Sequence, residues 1–173
     1  KKGAGAEVAV TVKWSVEDFL PGGWDTAQSL ELVKKLEAAG VDALGVSSGV
    51  HHGKLPAAPP YFYPMGAFLP FAEPVRRASK ISLYTSGRLD NPKFAERVLR
   101  EGRVDFLQLC RGLIADPDWV KKIADGQATE IRPCLACNHC RHQLVNGIPL
   151  RCSVNAAAGR ERELDAITPA KTR

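Results

Sequence analysis

The sequence predicts an α/β chain built on a parallel sheet, with a cysteine-rich segment after it. Two observations carry this. Four apolar, β-rich runs alternate with four segments of helical spacing. Four of the chain's five cysteines fall between Cys134 and Cys152.

The elements follow in order. Residues 7–14 (EVAVTVKW) read as a first strand, and residues 26–40 have helical spacing with Gly40 as the stop. Residues 41–49 read as a second strand, and a Pro-rich loop (50–70) leads to a helix over 71–80 with a proline near its start. A third strand over 80–87 precedes a helix over 91–102, where Pro92 suits the first turn. A fourth strand over 104–112 precedes a helix over 116–126, with Asp116 as N-cap, Pro117 at the first helical position and Gly126 as the stop. Continuous apolar runs lead us to expect strands covered on both faces.

A chain of 173 residues with 45% apolar and 25% charged residues can form a folded core. The net charge of +5 is spread out, with no basic run interleaved with aromatics, so no nucleic-acid partner is expected. No apolar stretch reaches the length of a membrane span. The N-terminus lacks a small-residue cleavage site, and Lys13 interrupts its apolar run, so it reads as a strand and not a leader. A cytoplasmic location follows, and there clustered cysteines are metal ligands more often than disulfides.

Two parallel architectures compete. A doubly wound nucleotide fold needs a Gly-rich turn after its first strand, and PGG (21–23) is not that fingerprint. Glycine–arginine pairs instead follow the third and fourth strands, at Ser86-Gly87-Arg88 and Cys110-Arg111-Gly112. A (β/α)8 TIM barrel commonly binds phosphate with the loops after its last two strands. A glycine lets backbone N–H groups approach an anion, and an arginine supplies bidentate hydrogen bonds. Four βα units make half of such a barrel.

The cysteines are spaced C-x2-C-x2-C-x11-C, at Cys134, Cys137, Cys140 and Cys152. Four thiolates can hold a tetrahedral zinc or a [4Fe–4S] cluster. Three cysteines within seven residues and one distant fourth are closer to cluster spacing than to the paired CxxC motifs of a zinc ribbon. His139 and His142 could substitute as ligands, but read first as exposed loop histidines.

Taken together, VKWSVEDFLPGG, AGVDALGVSSG, SGR, DFLQLCRGLIADPDW, RPCLACNHC and LRCSVNAAAGRE resemble the Old Yellow Enzyme-like NADH:flavin oxidoreductases. The resemblance is closest to the iron–sulfur branch that includes 2,4-dienoyl-CoA reductase and trimethylamine dehydrogenase, and it spans about Val8 to Arg162. It implies that these residues are the C-terminal half of an FMN-binding barrel (residues 1–130), an iron–sulfur cluster segment (131–155) and a linker or tail (156–173). It further implies FMN phosphate held by Ser86, Gly87, Arg88 and Arg111, with Cys110 packed beside them and Lys13 against the flavin pyrimidine. Cys134, Cys137, Cys140 and Cys152 would bind a [4Fe–4S] cluster. His51 or His52 would protonate the substrate together with a tyrosine from the other barrel half. Tyr61, Phe62 and Tyr63 line a ligand face or simply pack the long loop.

The activity implied is reduction of an activated C=C bond in a small molecule, an enoyl thioester or enone, with electrons from NAD(P)H. FAD and NAD(P)H would bind in domains outside this sequence, and the missing N-terminal barrel half would be a partner. The isolated chain is then expected to be catalytically incomplete. Pairing of two copies is one way to cover its strand edges. Amine oxidation of the trimethylamine dehydrogenase type, a zinc-stabilised binding module and an inactive half-barrel scaffold are the alternatives.

Overall fold

The computed structural model describes residues 3, 5, 7–50 and 55–164. The chain divides into two compact units, Lys1–Leu109 and Cys110–Arg173.

The first unit holds four parallel strands in the order β1 (Thr11–Ser15), β2 (Ala43–Ser47), β3 (Ser82–Thr85) and β4 (Phe106–Leu107). Helices α1 (Thr26–Ala38), α2 (Leu69–Ala78) and α3 (Pro92–Arg100) alternate with them. Each strand pairs with the next in sequence, so the order never reverses as it does in a doubly wound sheet. This is the topology of part of a (β/α)8 barrel, as expected.

Helix boundaries follow local chemistry. Asp25 and Gln28 form a capping box: the Asp25 carboxylate accepts from Gln28 N–H at 2.8 Å, and the Gln28 side chain accepts from Asp25 N–H at 3.1 Å. Asn91 caps α3 by accepting from Phe94 N–H at 3.0 Å, and Pro92 fills the first turn. Helix α2 starts two residues earlier than the periodicity predicts, which places Pro70 in its first turn and Pro74 inside it.

The core is formed by one face of the sheet and the helices. Leu44, Val46, Leu83, Val33, Val75 and Val98 are fully buried in it. Buried hydroxyls tie the layers together. Thr85 donates to the Val46 carbonyl at 2.7 Å. Ser29 donates to the Val16 carbonyl at 2.8 Å and accepts from the indole N–H groups of both Trp14 and Trp24.

The expectation of strands covered on both faces is not met among the described residues. In β1, Thr11 and Lys13 are exposed while Val16 just beyond it is buried, and β3 alternates in the same way. On the open face the Tyr84 ring lies across Gly45, and Phe106 is exposed. In β2 the apolar run concealed a period of two, because Ala43, Gly45 and Ser47 occupy its open face. Strand β1 is also shorter than predicted: Val8 is exposed, and Val10 is held by an exchange of hydrogen bonds with Asp42.

The second unit contains α4 (Arg111–Ala115), α5 (Trp119–Ala124), a 3₁₀ turn (Ala128–Glu130), α6 (His139–Val145) and α7 (Glu161–Leu164). The fourth strand therefore ends before Cys110, α4 occupies residues read as the end of that strand and the loop after it, and the helix predicted over 116–126 is shortened to 119–124. Asp116 is not an N-cap. It ends α4, fully buried, and its carboxylate accepts from Lys122 Nζ (2.7 Å), Arg132 N–H (2.8 Å) and Asp118 N–H (3.1 Å).

Candidate functional site

The second unit assembles the thiols. The stretch from Cys134 to Asn138 is irregular, and Ala136 (φ 50°) and Asn138 (φ 60°) are both left-handed. These two turns coil the chain so that N–H groups face sulfur. Ala136 N–H approaches Cys134 Sγ at 3.4 Å, and His139 N–H bonds Cys137 Sγ. Cys140 sits in the first turn of α6.

The eleven residues between Cys140 and Cys152 are a helix outward and a return. Helix α6 ends in a Schellman turn: Gly147 is left-handed, and the N–H groups of Gly147 and Ile148 bond the Leu144 and Gln143 carbonyls at 3.1 and 2.9 Å. The returning chain brings Ser153 Oγ to 3.4 Å from Cys137 Sγ. One recess is thereby lined by all four of Cys134, Cys137, Cys140 and Cys152, together with Arg111, Asn138 and Ser153.

Two thiols differ in character. The Ser153 hydrogen bond, then the His139 N–H, hold Cys137 below the ordinary thiol range. Burial pushes Cys140 up, against the opposing pull of Arg141 N–H and the Arg111 charge. All five cysteines are free thiols. Among the described residues, no three His, Cys, Asp or Glu side chains converge closely enough to hold a single metal ion. His139 and His142 are exposed on α6 rather than in a loop.

Asp116 supports this loop from behind by binding Arg132 N–H, two residues before Cys134. Buried Asn155 adds a second brace, donating to the Ile114 carbonyl at 2.9 Å and accepting from Arg132 Nη1 at 3.2 Å. Asn138, Ser153 and Asn155 were not singled out from the sequence, and Asp116 was read there only as a helix cap. Asn138 carried one signal, since asparagine is among the few residues that tolerate a left-handed backbone.

The turn predicted to bind an anion lies in the first unit. Gly87 follows β3 with φ 100°, and a Cβ there would stand 3.0 Å from the Phe68 ring and 3.1 Å from its backbone nitrogen, so glycine is required. Arg88 is left-handed too (φ 61°), and its guanidinium donates to the carbonyls of Tyr61 (2.8 Å) and Tyr63. Arg88 thus braces the long loop, on which Tyr61 and Phe62 are exposed and stacked edge to face. Ser86 is half-buried beside it. Lys13 is exposed on the open sheet face, in register with Gly45 and Tyr84.

In the second unit, Cys110 is exposed immediately before α4, not packed as expected. Arg111 Nη1 donates to Asn138 Oδ1 at 2.6 Å. His51 and His52 lie outside the described residues. No helix among the described residues is long and apolar enough to cross a membrane.

Residues 1–130 match the NADH:flavin oxidoreductase / NADH oxidase family. An NADH oxidase of Thermoanaerobacter brockii is 36% identical over 163 residues, covering 93% of this chain and 25% of that protein. The solved structure of a 2-naphthoyl-CoA reductase in complex with 2-naphthoyl-CoA superposes with a TM-score of 0.85 at 30% identity, over 93% of this chain and 25% of that one. Histamine dehydrogenase from Rhizobium sp. 4-9 superposes with a TM-score of 0.79 at 28% identity, over 88% of this chain and 22% of that one. The chain spans about a quarter of the length of these proteins.

Proposed function

Since the chain belongs to the NADH:flavin oxidoreductase / NADH oxidase family, we propose that it supplies FMN-binding turns and a [4Fe–4S] segment to a reductase acting on an activated C=C bond, in an enoyl-thioester-like or enone-like small molecule. The observation that carries this is the recess lined by four cysteines. A single tetrahedral zinc draws its sulfurs to about 2.3 Å from one point. A cubane is bonded by each thiolate at a different iron. Three cysteines within seven residues and a distant fourth, all lining one recess, suit the cubane better than the paired CxxC motifs of a zinc ribbon.

When bound, FMN supplies hydride chemistry and the cluster supplies one-electron transfer. The chain's own residues would serve them as follows. Ser86 and Gly87 offer a tight turn in which backbone groups can approach phosphate, and Arg88 and Arg111 bring positive charge. Lys13 would place an ammonium where negative charge develops on a reduced pyrimidine ring. His51 or His52 would deliver a proton, since imidazole titrates near neutrality. The 2-naphthoyl-CoA reductase likeness supports a thioester substrate. The histamine dehydrogenase likeness supports amine oxidation as the second reading.

The test is anaerobic purification of the chain and assay of its metal. Roughly four irons and four labile sulfides per chain, with broad absorbance near ~400 nm, are expected. A colourless protein holding one zinc would overturn the cluster reading. Reduction of an enoyl thioester, but no oxidation of histamine, by the full-length holoenzyme separates the two substrate readings.

A further inference from the structure

Arg111, the first residue of α4, is aimed at the cysteine loop. Its Nη1 donates to Asn138 Oδ1 at 2.6 Å. Asn138 stands between Cys137 and Cys140 with a left-handed backbone (φ 60°, ψ 13°). Its backbone makes the turn that separates the two thiols, and its side chain is what Arg111 grips. Arg111 is also the one charged side chain among the described residues lining the four-thiol recess. Of the other arginines of this unit near the loop, Arg132 bonds Asn155, Arg151 bonds the Leu150 and Gly159 carbonyls, and Arg141 lines a neighbouring recess with His139 and His142.

We propose that Arg111 and Asn138 form a clasp that holds the cysteine loop in its metal-binding shape and fixes a positive charge beside the four thiolates, where it favours the reduced state of the cluster. The inference rests on the cluster reading given above. Four thiolates leave a cluster site with net negative charge, and uptake of one electron, with no bond made or broken, increases it. A guanidinium keeps its charge at any working pH, so its contribution is permanent. Arg111 acts here as a positioning residue with an electrostatic effect, in addition to any role at a phosphate.

The test compares the unaltered chain with Arg111→Met, Arg111→Lys and Asn138→Gly after anaerobic reconstitution with ferrous iron and sulfide. Iron release to a chelator and a dithionite titration followed by electron paramagnetic resonance are the readouts. Arg111→Met is expected to lower the reduced-to-oxidised ratio at a fixed applied potential by about tenfold, equivalent to about 59 mV for one electron. Arg111→Lys should keep the potential near that of the unaltered chain while releasing iron faster, because an ammonium lacks the planar fork. Asn138→Gly keeps the left-handed turn and every cysteine, and it too should release iron faster.

Unchanged potential and iron release in Arg111→Met would overturn the clasp. So would loss of FMN from the full-length holoenzyme carrying Arg111→Met with its cluster unaffected, which would place this arginine at the phosphate alone. If Arg111→Met takes up no cluster at all, an unchanged release rate in Asn138→Gly overturns the proposal. If the unaltered chain itself binds no iron, the cluster reading falls and this inference falls with it. If the unaltered chain loads and the variants match it, only the clasp falls.

Discussion

The Asp116 carboxylate meets the Lys122 ammonium at 2.7 Å with the carboxylate side chain fully buried. Burial alone would raise the carboxyl pKa. The Lys122 side chain and the N–H groups of Arg132 and Asp118 outweigh it and hold the group below the usual carboxylate range. Because Arg132 N–H is one of those donors, the pair also fixes where the cysteine loop begins.

Removing the carboxylate should therefore destabilise the second unit. Asp116→Ala strands the Arg132 and Asp118 N–H groups and a half-buried ammonium, at a cost of about 3 kcal/mol. Urea unfolding checks this. The pH dependence has a definite sign. A carboxyl with a depressed folded pKa stabilises above its unfolded value, near ~3.9, and that stabilisation is lost as pH falls through the folded value. Acid unfolding curves should steepen below about pH 4 in the unaltered chain and be flatter in Asp116→Asn. Equal acid slopes would remove this role from Asp116.

Ser29 is the polar centre of the first unit. It is completely buried, accepts from two indoles and donates to the Val16 carbonyl. Ser29→Ala leaves three polar groups short of a partner and should cost about 2 kcal/mol. The fluorescence of Trp14 and Trp24 should shift with it. A stability change within a few tenths of a kcal/mol would mean that water replaces the hydroxyl.

Gly45 is dictated by the Tyr84 ring, not by backbone conformation. A Cβ at this position would stand 2.4 Å from the ring. Gly45→Ala must displace the tyrosine, at about 1–3 kcal/mol. Combined with Tyr84→Ala, the same substitution should be much less costly, and a double-mutant cycle measures the difference. Strict additivity would show that the ring does not constrain this glycine.

The two thiols with shifted pKa values should label in a fixed order in iron-free protein. Cys137 is exposed and pulled toward the thiolate by Ser153, whereas Cys140 is buried and pushed toward the thiol. Iodoacetamide near neutral pH, read by mass spectrometry, should modify Cys137 well before Cys140. Ser153→Ala should slow Cys137 and leave Cys140 unchanged. The reverse order would contradict the geometry of the loop.

Much of this was legible along the chain. Strand and helix alternation, the proline at 92, and the cysteine spacing are local signals, and each points to its element without knowledge of the fold. The strand ends were less legible. Strand β4 is only two residues long, and Asp116 ends α4 instead of starting a helix, its carboxylate paired with Lys122 six residues on, which no periodicity reports. Arg88 and Arg111 read alike in sequence, each following a strand, yet one braces the Tyr61–Tyr63 loop and the other grips Asn138.

The sequence by itself determined the fold class and the four thiols, because hydrophobic period and cysteine spacing are one-dimensional properties. Only the tertiary structure decided what surrounds those thiols. Bringing Ser153 back to Cys137, Arg111 to Asn138 and Asp116 to Arg132 spans 16 to 27 residues of chain. Contacts at that separation arise from packing and buried hydrogen bonding, which no short stretch of sequence encodes.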